Sequence, residues 1–406
     1  MKWEKVKLGE LYEVHNGLSK AGKFFGEGYP FLTFSTVFNN YFIPKQITDL
    51  VQSTEKEQES YSIRRGDVFV TRTSETSDEL GMSCVALKDY PMATYNGFTK
   101  RMRPITNRVF PEYIGYYMRL PSFRGEFRAF STMTTRASLR NEDLLGLEVK
   151  LPSIEIQKQI ADILSAYDDL IENNQKQIKL LEEAAQRLYK EWFVDLRFPG
   201  HENTKIVDGV PEGWRVASIA DICDTVGGGT PSTKIQSYYE KGDILWVTPT
   251  DITRNFSLAL LDTEKKITPE GLKNSSAKML PAETILMTSR ASVGFFGMCK
   301  YEVCTNQGFI SCIPKRENLQ MYLLFNLKSR VEEIRQKAGG STYLEISKTV
   351  FRELKIILPK DEVLAEYQKN VHDIFDEIYC RTEMIKSLVD MRNRLLPKLM
   401  SGEVEV

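Results

Sequence analysis

The stretch Leu147-Glu148-Val149-Lys150-Leu151-Pro152 returns later in the chain as Leu354-Lys355-Ile356-Ile357-Leu358-Pro359. Each copy has the pattern of a short strand that ends in proline, and a helical run of about forty residues follows it. Other segments recur in the same order. Trp3 and Trp214 open similar stretches, and Asn96-Gly97-Phe98 aligns with Gln307-Gly308-Phe309. A repeat of this length predicts two copies of one module, each a globular lobe followed by a long helix.

Length and composition limit the class of protein. A chain of 406 residues is too long for one core and fits two lobes with additional helices. Its 42% hydrophobic and 27% charged content is typical of a globular protein. No apolar run approaches the roughly 18 residues that a membrane span needs, and the N-terminus has no apolar segment typical of a secretory signal. We therefore expect a cytoplasmic protein with no membrane partner.

The net charge of −1 conceals an uneven distribution along the chain. Residues 1–150 contain 21 Lys and Arg against 18 Asp and Glu, and residues 200–358 contain 20 against 18. The helical stretches 151–199 and 359–406 contain 6 against 9 and 7 against 10, so both are negative. Residues 96–140 hold nine basic and two acidic residues, and this excess of +7 predicts a polyanion-binding face. A solvated basic surface without a ligand is the alternative.

Short apolar stretches bounded by turn residues predict mixed α/β (α+β) lobes. In the first lobe we expect strands at residues 68–71, 84–87 and 147–151 and a helix over 111–130. The second lobe repeats this order with strands at 244–247, 284–287 and 310–313 and a helix near 319–337. The predicted domains are residues 1–150 for the first lobe, 151–198 for the first long helix, 199–213 for a linker, 214–358 for the second lobe and 359–406 for the second long helix.

Apolar positions recur every seven residues in both long helices, which predicts an antiparallel two-helix coiled coil. The predicted seam of the first helix contains Ile160, Tyr167, Asn174, Leu181 and Leu188, with Ile156, Ile163, Leu170, Gln177 and Ala184 as a second row. The seam of the second helix contains Val371, Ile378, Arg381, Ile385 and Leu388. In an antiparallel pair the polar midpoints, Asn174 with Gln177 and Arg381, meet in one layer and set the register. Fraying of the seam at this point is the alternative.

Several patterns resemble catalytic or cofactor motifs but lack a required residue. Residues 17–23 resemble a phosphate-binding loop, yet Phe24 stands where a magnesium-binding Ser or Thr is needed. The glycines at residues 227–229 are followed by Pro231, which does not lead into the helix of a dinucleotide-binding motif. The three histidines and six cysteines show no metal-ligand spacing. We expect no catalytic residue, no metal site and no cofactor belonging to this chain.

Loops rich in hydrogen-bonding side chains occupy matching positions of the two lobes. Residues 71–74 match 288–292, residues 95–101 match 305–309, and residues 133–136 match 339–343. Arg, Lys, Asn, Gln, Ser and Thr are the side chains that bind phosphates and read base edges. The candidate DNA-binding residues are Arg72, Asn96, Lys100, Arg101, Arg136, Thr230, Ser232, Lys234, Arg290, Asn306 and Gln307. Structural turns preserved from a common ancestor are the alternative.

Over its whole length the chain resembles the specificity subunit of type I restriction-modification systems. Residues 244–249 (ILWVTP) and 306–309 (NQGF) are similar to the core of that family's target-recognition domain. Residues 191–200 (EWFVDLRFPG) and 207–214 (VDGVPEGW) resemble its central linker, and residues 395–402 (LLPKLMSG) resemble its C-terminal end. The first lobe departs from the pattern, because residues 16–20 (NGLSK) replace the glycine-threonine-proline opening of the second lobe.

The resemblance implies two target-recognition domains separated by the antiparallel helices, in a pseudo-twofold internal repeat. Each lobe would read one half of a bipartite site in double-stranded DNA, and the helices would set the spacer. Two methyltransferase subunits would dock on the helices, and motor-nuclease subunits would join them in the full complex. S-adenosylmethionine, ATP and magnesium are expected only on those partner subunits. A coiled-coil scaffold with two protein-binding lobes and no DNA is the alternative function.

Overall fold

The computed structural model describes residues 3–74, 79–130, 137–340 and 343–406. These residues form two compact units. The first unit contains the chain up to Asp169 together with Val389–Val406, and the second contains Leu170–Leu388. Each unit therefore combines one lobe with parts of both long helices. Within the described ranges, no helix is both long enough and apolar enough to cross a membrane.

The first lobe is built on a four-stranded antiparallel sheet with the strand order Tyr12–Asn16, Thr99–Pro104, Val68–Thr71 and Ser83–Val85. A three-stranded sheet has the order Leu50–Val51, Phe25–Leu32 and Thr94–Tyr95. Two further pairs join Glu4–Lys7 to Glu148–Leu151 and Thr73–Ser74 to Ala137–Ser138. The helices are Leu8–Leu11, Gly22–Phe24 (3-10), Phe34–Asn39, Glu55–Ser60, Pro111–Tyr117, Pro121–Phe130 and Asn141–Gly146.

The second lobe repeats these sheets in the same order. Its four-stranded antiparallel sheet has the order Cys223–Val226, Phe309–Pro314, Ile285–Thr288 and Phe296–Gly297. The three-stranded sheet has the order Lys266–Ile267, Ile244–Val247 and Cys304–Thr305, and Arg215–Ser218 pairs with Lys355–Leu358. The helices are Ile219–Ile222, Gln236–Tyr238 (3-10), Pro249–Thr253, Pro269–Lys273, Glu317–Leu319 (3-10), Gln320–Ser329, Val331–Gln336 and Lys348–Arg352. The predicted repeat of α/β lobes is confirmed.

Two predicted helices are each divided in two. In the first lobe the predicted helix over 111–130 ends at Tyr117, and a second helix begins at Pro121, whose missing N–H is tolerated only in a first turn. In the second lobe the break falls at Arg330, between Gln320–Ser329 and Val331–Gln336. The predicted linker is also partly ordered, because Ile206–Val207 and Val210–Pro211 form a small hairpin that follows a short 3-10 helix, His201–Asn203.

The first long helix, Ile154–Tyr189, has 36 residues and continues as a five-residue π-helix, Lys190–Val194. The second, Asp361–Ser401, has 41 residues. In the second unit Arg381 donates to Asn174 over 3.1 Å, and the rings of Tyr367 and Tyr189 lie 6.3 Å apart. Residue numbers therefore fall along one helix as they rise along the other. The predicted antiparallel pairing and the meeting of Asn174 with Arg381 are confirmed.

One predicted row of the first helix is displaced by one residue. In the predicted seam, Ile160 and Asn174 are buried, and the other members are half-buried: Tyr167, Leu181 and Leu188. The row through Leu170 is wrong, because Leu170 is 49% exposed and Ala184 is also exposed. The buried companion row lies one position later: Gln157, Leu164, Ile178, Ala185 and Trp192. Both rows have a spacing of seven, so periodicity alone did not distinguish them.

Each long helix ends against the tryptophan that opens a lobe. In the second unit the ring of Trp214 lies 5.9 Å from Phe193 and 4.8 Å from Phe198, which follow the first helix. In the first unit Gly402, just after the second helix, approaches the Trp3 indole so closely that a Cβ there would overlap it. Gly402 also has a φ of 77°, which favours glycine. The two ends of the chain therefore meet within the first unit.

Candidate DNA interface

Three backbone hydrogen bonds bring four loops of the second lobe together. Gly229 N donates to Thr305 O at 2.9 Å, which joins the glycine loop to the turn after strand Cys304–Thr305. Ser289 N donates to Gly308 O at 2.8 Å, and Ile346 N donates to Ser289 O at 3.1 Å. Loops near residues 229, 306, 290 and 345 thus form one continuous edge. Loops held by a rigid scaffold in this way are a common location for binding residues.

The first lobe contains the same three bonds at equivalent positions. Leu18 N donates to Tyr95 O at 2.8 Å, Arg72 N donates to Phe98 O at 3.0 Å, and Leu139 N donates to Arg72 O at 2.9 Å. The predicted matches of residues 71–74 with 288–292 and of 95–101 with 305–309 are therefore present in the fold, whereas the match of 133–136 with 339–343 falls on residues outside the described ranges. Both lobes carry the same edge of four loops, and different side chains occupy it.

The structural alignment differs from the sequence alignment by one residue in the turn after the short parallel strand. Asn96 Oδ1 accepts from Phe98 N at 2.7 Å, and Asn306 Oδ1 accepts from Gly308 N at 2.8 Å. Asn96 is therefore the counterpart of Asn306, and the predicted alignment of Asn96 with Gln307 is wrong. The sequence alignment matched the Gly-Phe dipeptide that both turns contain, whereas the Asx turn shows that Asn306 is the structural counterpart of Asn96.

Close packing explains the glycines of these loops. A Cβ on Gly228 would overlap the carbonyl oxygens of Thr305 and Asn306, and a Cβ on Gly17 would overlap the carbonyl oxygen of Asn96. The glycine loop must therefore lie directly against the neighbouring turn in both lobes. This contact accounts for the glycine at residue 228.

Most candidate residues of the second lobe face solvent. Thr230, Ser232, Lys234, Arg290 and Gln307 are exposed, and Asn306 is half-buried. Thr230 Oγ1 donates to Gln307 Oε1, which orients the Gln307 amide. The loop that carries Arg290 is anchored by Thr288, whose hydroxyl donates to Ser292 O and accepts from Phe295 N at 2.9 Å. These side chains are available to a ligand, but their DNA contacts stay a prediction.

The candidates of the first lobe are mostly turned inward. Lys100 is 5% exposed and donates to Asn141, and burial, then the charge of Arg72, lowers its pKa. Arg101 is 3% exposed and donates to Ser62 O at 2.8 Å, and burial lowers its pKa. Arg72 is half-buried and donates to Asn16 Oδ1 at 3.3 Å. Arg136 lies outside the described residues.

Several basic residues of the segment 96–140 are held inside the first lobe. Arg119 donates to four backbone carbonyls, including Val37 O and Asn40 O at 2.7 Å each. Arg103 forms an ion pair with the buried Asp67 at 2.6 Å. Together with Lys100 and Arg101, these residues use their charge inside the lobe. These four of the nine basic residues therefore leave a smaller exposed charge than the excess of +7 suggests, and the polyanion-binding face stays a prediction for the remaining basic residues of the segment.

Sequence reasoning missed two residues of the loop edges. Asn16 is exposed and receives the Arg72 hydrogen bond. Glu345 forms an ion pair with Arg290 at 3.7 Å, and both side chains are 49% exposed. Asn16 could have been found from the unusual NGLSK stretch. Glu345 carried no signal, because only the fold brings residues 339–345 beside Arg290.

One group of possible metal ligands occurs among the described residues. His372 Nε2 lies 3.1 Å from Glu283 and its Nδ1 lies 3.4 Å from Asp376, so a histidine that has no metal-ligand spacing in the sequence has two carboxylates beside it in the fold. Lys300 Nζ lies 2.6 Å from the other oxygen of Asp376. The lysine already balances this carboxylate, and the arrangement is that of a hydrogen-bonded network on the side of the second long helix.

Comparison with known proteins agrees with this architecture. The type I restriction modification DNA specificity domain family matches residues 1–183 and 211–389, one match for each repeat. The chain is 27% identical to the MjaIX specificity subunit of Methanocaldococcus jannaschii, a type I restriction enzyme subunit, over 422 residues covering 100% of this chain and 94% of the relative. It is 25% identical over 471 residues to the HindI specificity subunit of Haemophilus influenzae, covering 99% of each.

A solved structure shares the fold. The S subunit of a type I restriction-modification system from M. genitalium superposes with a TM-score of 0.59 at 16% identity, covering 98% of this chain and 96% of that one. The family match extends over both lobes and the greater part of both long helices. This chain therefore belongs to the type I restriction-modification DNA specificity domain family.

Proposed function

We propose that this chain reads a bipartite DNA sequence for a type I restriction-modification complex. Each lobe reads one half-site with its edge of four loops, and the two long helices set the spacer between the half-sites. The observation that carries this proposal is the set of three backbone hydrogen bonds that both lobes share, because it presents one scaffold twice with different side chains. Two such scaffolds fit a target with two unlike halves.

The DNA contacts divide into two classes. In the second lobe Lys234 supports phosphate binding, because it is exposed and a lysine acts as a point charge. Arg290 and Gln307 support base readout, because both are exposed and their neighbours hold them in place. In the first lobe Arg72 with Asn16 is the best-supported contact. The burial of Lys100 and Arg101 favours a structural role for them.

The long helices also offer surfaces for protein partners. In the first helix Leu170 and Leu180 are 49% and 63% exposed, and in the second Met384 and Met391 are each 48% exposed. Exposed apolar side chains on a negatively charged helix suit a protein partner better than DNA. We propose that two methyltransferase subunits dock on these helices and that motor-nuclease subunits join the full complex. S-adenosylmethionine, ATP and magnesium would be bound by those partners, and this chain would have no catalytic activity of its own.

Selection from random DNA tests the reading function. The chain would be purified with its methyltransferase subunits and incubated with randomised duplexes, and the bound sequences would be read at two salt concentrations. We expect two specified blocks separated by an unspecified spacer, with affinity that falls steeply as salt rises. A single block, or binding that salt does not change, would contradict the proposal and favour a protein scaffold.

Substitutions on the helices test the docking surface separately. Leu180→Ser should weaken co-purification of the methyltransferase, because it removes an exposed apolar contact. Lys179→Ser is the matched control, since Lys179 is the adjacent residue and its side chain is 79% exposed. Equal loss of partner in both variants would argue against an apolar docking site at Leu180.

A further inference from the structure

The Arg290–Glu345 pair is poorly placed to stabilise the lobe. Its atoms lie 3.7 Å apart, and both side chains are 49% exposed. Exposed ion pairs of this kind contribute little to folding stability. An acidic side chain beside a DNA-facing arginine also repels phosphate. The pair therefore needs another explanation, and the surrounding loops offer one.

Backbone hydrogen bonds join the two loops that carry this pair. Ala291 N donates to Leu344 O at 2.8 Å, and Gly339 and Glu345 exchange two backbone hydrogen bonds of 3.0 and 2.8 Å. Ala291 has a φ of 61°, an uncommon conformation for a residue with a Cβ. Such strain persists only where the surroundings enforce it, and it clusters at functional positions. Arg290 and Glu345 are thus presented side by side on paired loops.

The first lobe has the same backbone pair with different residues. Ser138 pairs with Thr73 in an antiparallel bridge, as Glu345 pairs with Arg290. Two neutral hydroxyl residues in one lobe therefore replace an arginine and a glutamate in the other. A position with a constant backbone and different side chains in the two lobes is expected of a residue that determines specificity.

We infer that Arg290 and Glu345 together read one G·C base pair in the half-site of the second lobe. In the major groove guanine presents two acceptors, O6 and N7, which match the two donors of an arginine. The paired cytosine presents its N4 amino group next to guanine O6, and a carboxylate accepts from that group. Arg290 thus matches the two acceptors of guanine, and the adjacent Glu345 matches the amino group of the paired cytosine. An A·T pair would place the thymine O4 acceptor opposite Glu345 and be rejected.

This inference rests on the proposed function, and the experiment separates the two. The complete methyltransferase complex would be expressed in a host without other methyltransferases, and methylated sites across the genome would define the recognised sequence. Variants would be Arg290→Ala, Glu345→Gln and, as matched control, Glu332→Gln, which alters an exposed ion pair with Arg335 at 2.7 Å in the same lobe. Thermal unfolding of each variant would show whether the lobe still folds.

The wild-type complex should recognise an invariant G·C pair in one half-site. Arg290→Ala and Glu345→Gln should both relax that same position, lowering discrimination by roughly tenfold or more, and leave the other half-site unchanged. Glu332→Gln should leave both half-sites unchanged. The inference is overturned if Glu345→Gln leaves the sequence unaltered, if the two variants relax different positions, or if the affected position is not G·C. Failure of the wild-type complex to define any bipartite sequence would overturn the proposed function itself.

Discussion

The central polar pair of the helices predicts a measurable coupling energy. Asn174 is 4% exposed, and its carboxamide oxygen accepts from Arg381 Nη1 at 3.1 Å while its nitrogen donates to Leu170 O at 2.8 Å. Arg381→Leu leaves that buried oxygen without its donor, which costs about 1–3 kcal/mol. The same change removes the Arg381–Glu377 pair at 2.6 Å, an i,i+4 pair worth only about 0.3–0.5 kcal/mol. The expected total is about 1.3–3.5 kcal/mol.

The matching double substitution separates polar pairing from packing. Asn174→Leu alone leaves Arg381 without its acceptor on the other helix, and it should also destabilise. Asn174→Leu with Arg381→Leu replaces the pair with apolar residues typical of a seam, and it should recover most of the loss. Lys176→Ala is the control, because its pair with Glu172 is solvent-exposed and should cost at most about 0.5 kcal/mol.

Tryptophan fluorescence during urea unfolding is the suitable assay. Three of the four tryptophans, Trp192, Trp214 and Trp246, lie in the second unit, which also contains both residues of the pair. The signal therefore reports mainly on the unit that the substitutions affect. Additive losses in the double variant, or single losses below about 0.5 kcal/mol, would refute the view that this pair is a coupled buried contact.

Four further outcomes are expected. Arg119→Leu should destabilise the first lobe by roughly 2–5 kcal/mol, because it removes the hydrogen-bond donor of four backbone carbonyls, and it should leave the salt dependence of DNA binding unchanged. A smaller salt dependence would show that Arg119 contacts DNA. Gly17→Ala should impair recognition by the first lobe, whereas Gly22→Ala, with no atom within 4 Å of its added Cβ, should not. Equal effects of the two variants in sequence selection would contradict a role of the Gly17–Asn96 contact in recognition. Burial raises the pKa of the Cys84 thiol from 9.0 to about 12, so it should resist alkylation at pH 8 while the exposed Cys380 reacts, as counted by mass spectrometry. The unfolded thiol ionises near pH 9 and the folded one only near pH 12, so the stability that Cys84 contributes is complete below pH 9 and is lost as pH rises from 9 to 12. An unfolding free energy that increases between these pH values would contradict this sign.

The sequence predicted the large features because they depend on long patterns. The repeat, the two helices of about forty residues and their antiparallel pairing each rest on many positions, so one misplaced residue does not change the conclusion. The meeting of Asn174 and Arg381 followed from the midpoints alone. The companion row through Leu170 failed, because two rows with the same spacing differ only in the direction that each faces.

The candidate site was harder to predict because charge and exposure are properties of the fold. Arg101 and Arg119 belong to a segment whose composition is typical of a DNA-binding surface, yet Arg101 is buried and both residues donate to backbone carbonyls. Glu345 is far from Arg290 along the chain and has no motif around it. Hydrogen bonds between loops, which leave no trace in residue type, decide which of these side chains can meet a ligand.

The position of the polar pair in the repeat explains why its members differ. Asn174 follows Leu147 by as many residues as Arg381 follows Leu354, so the pair joins equivalent positions of the two repeats. If like repeats paired with each other, each residue would face its own copy. Two arginines at that layer would repel where water is scarce, and two asparagines would lack the charged donor. The bond from Arg381 to Asn174 exists only between unlike repeats, and it therefore favours the arrangement in which one chain carries two different lobes.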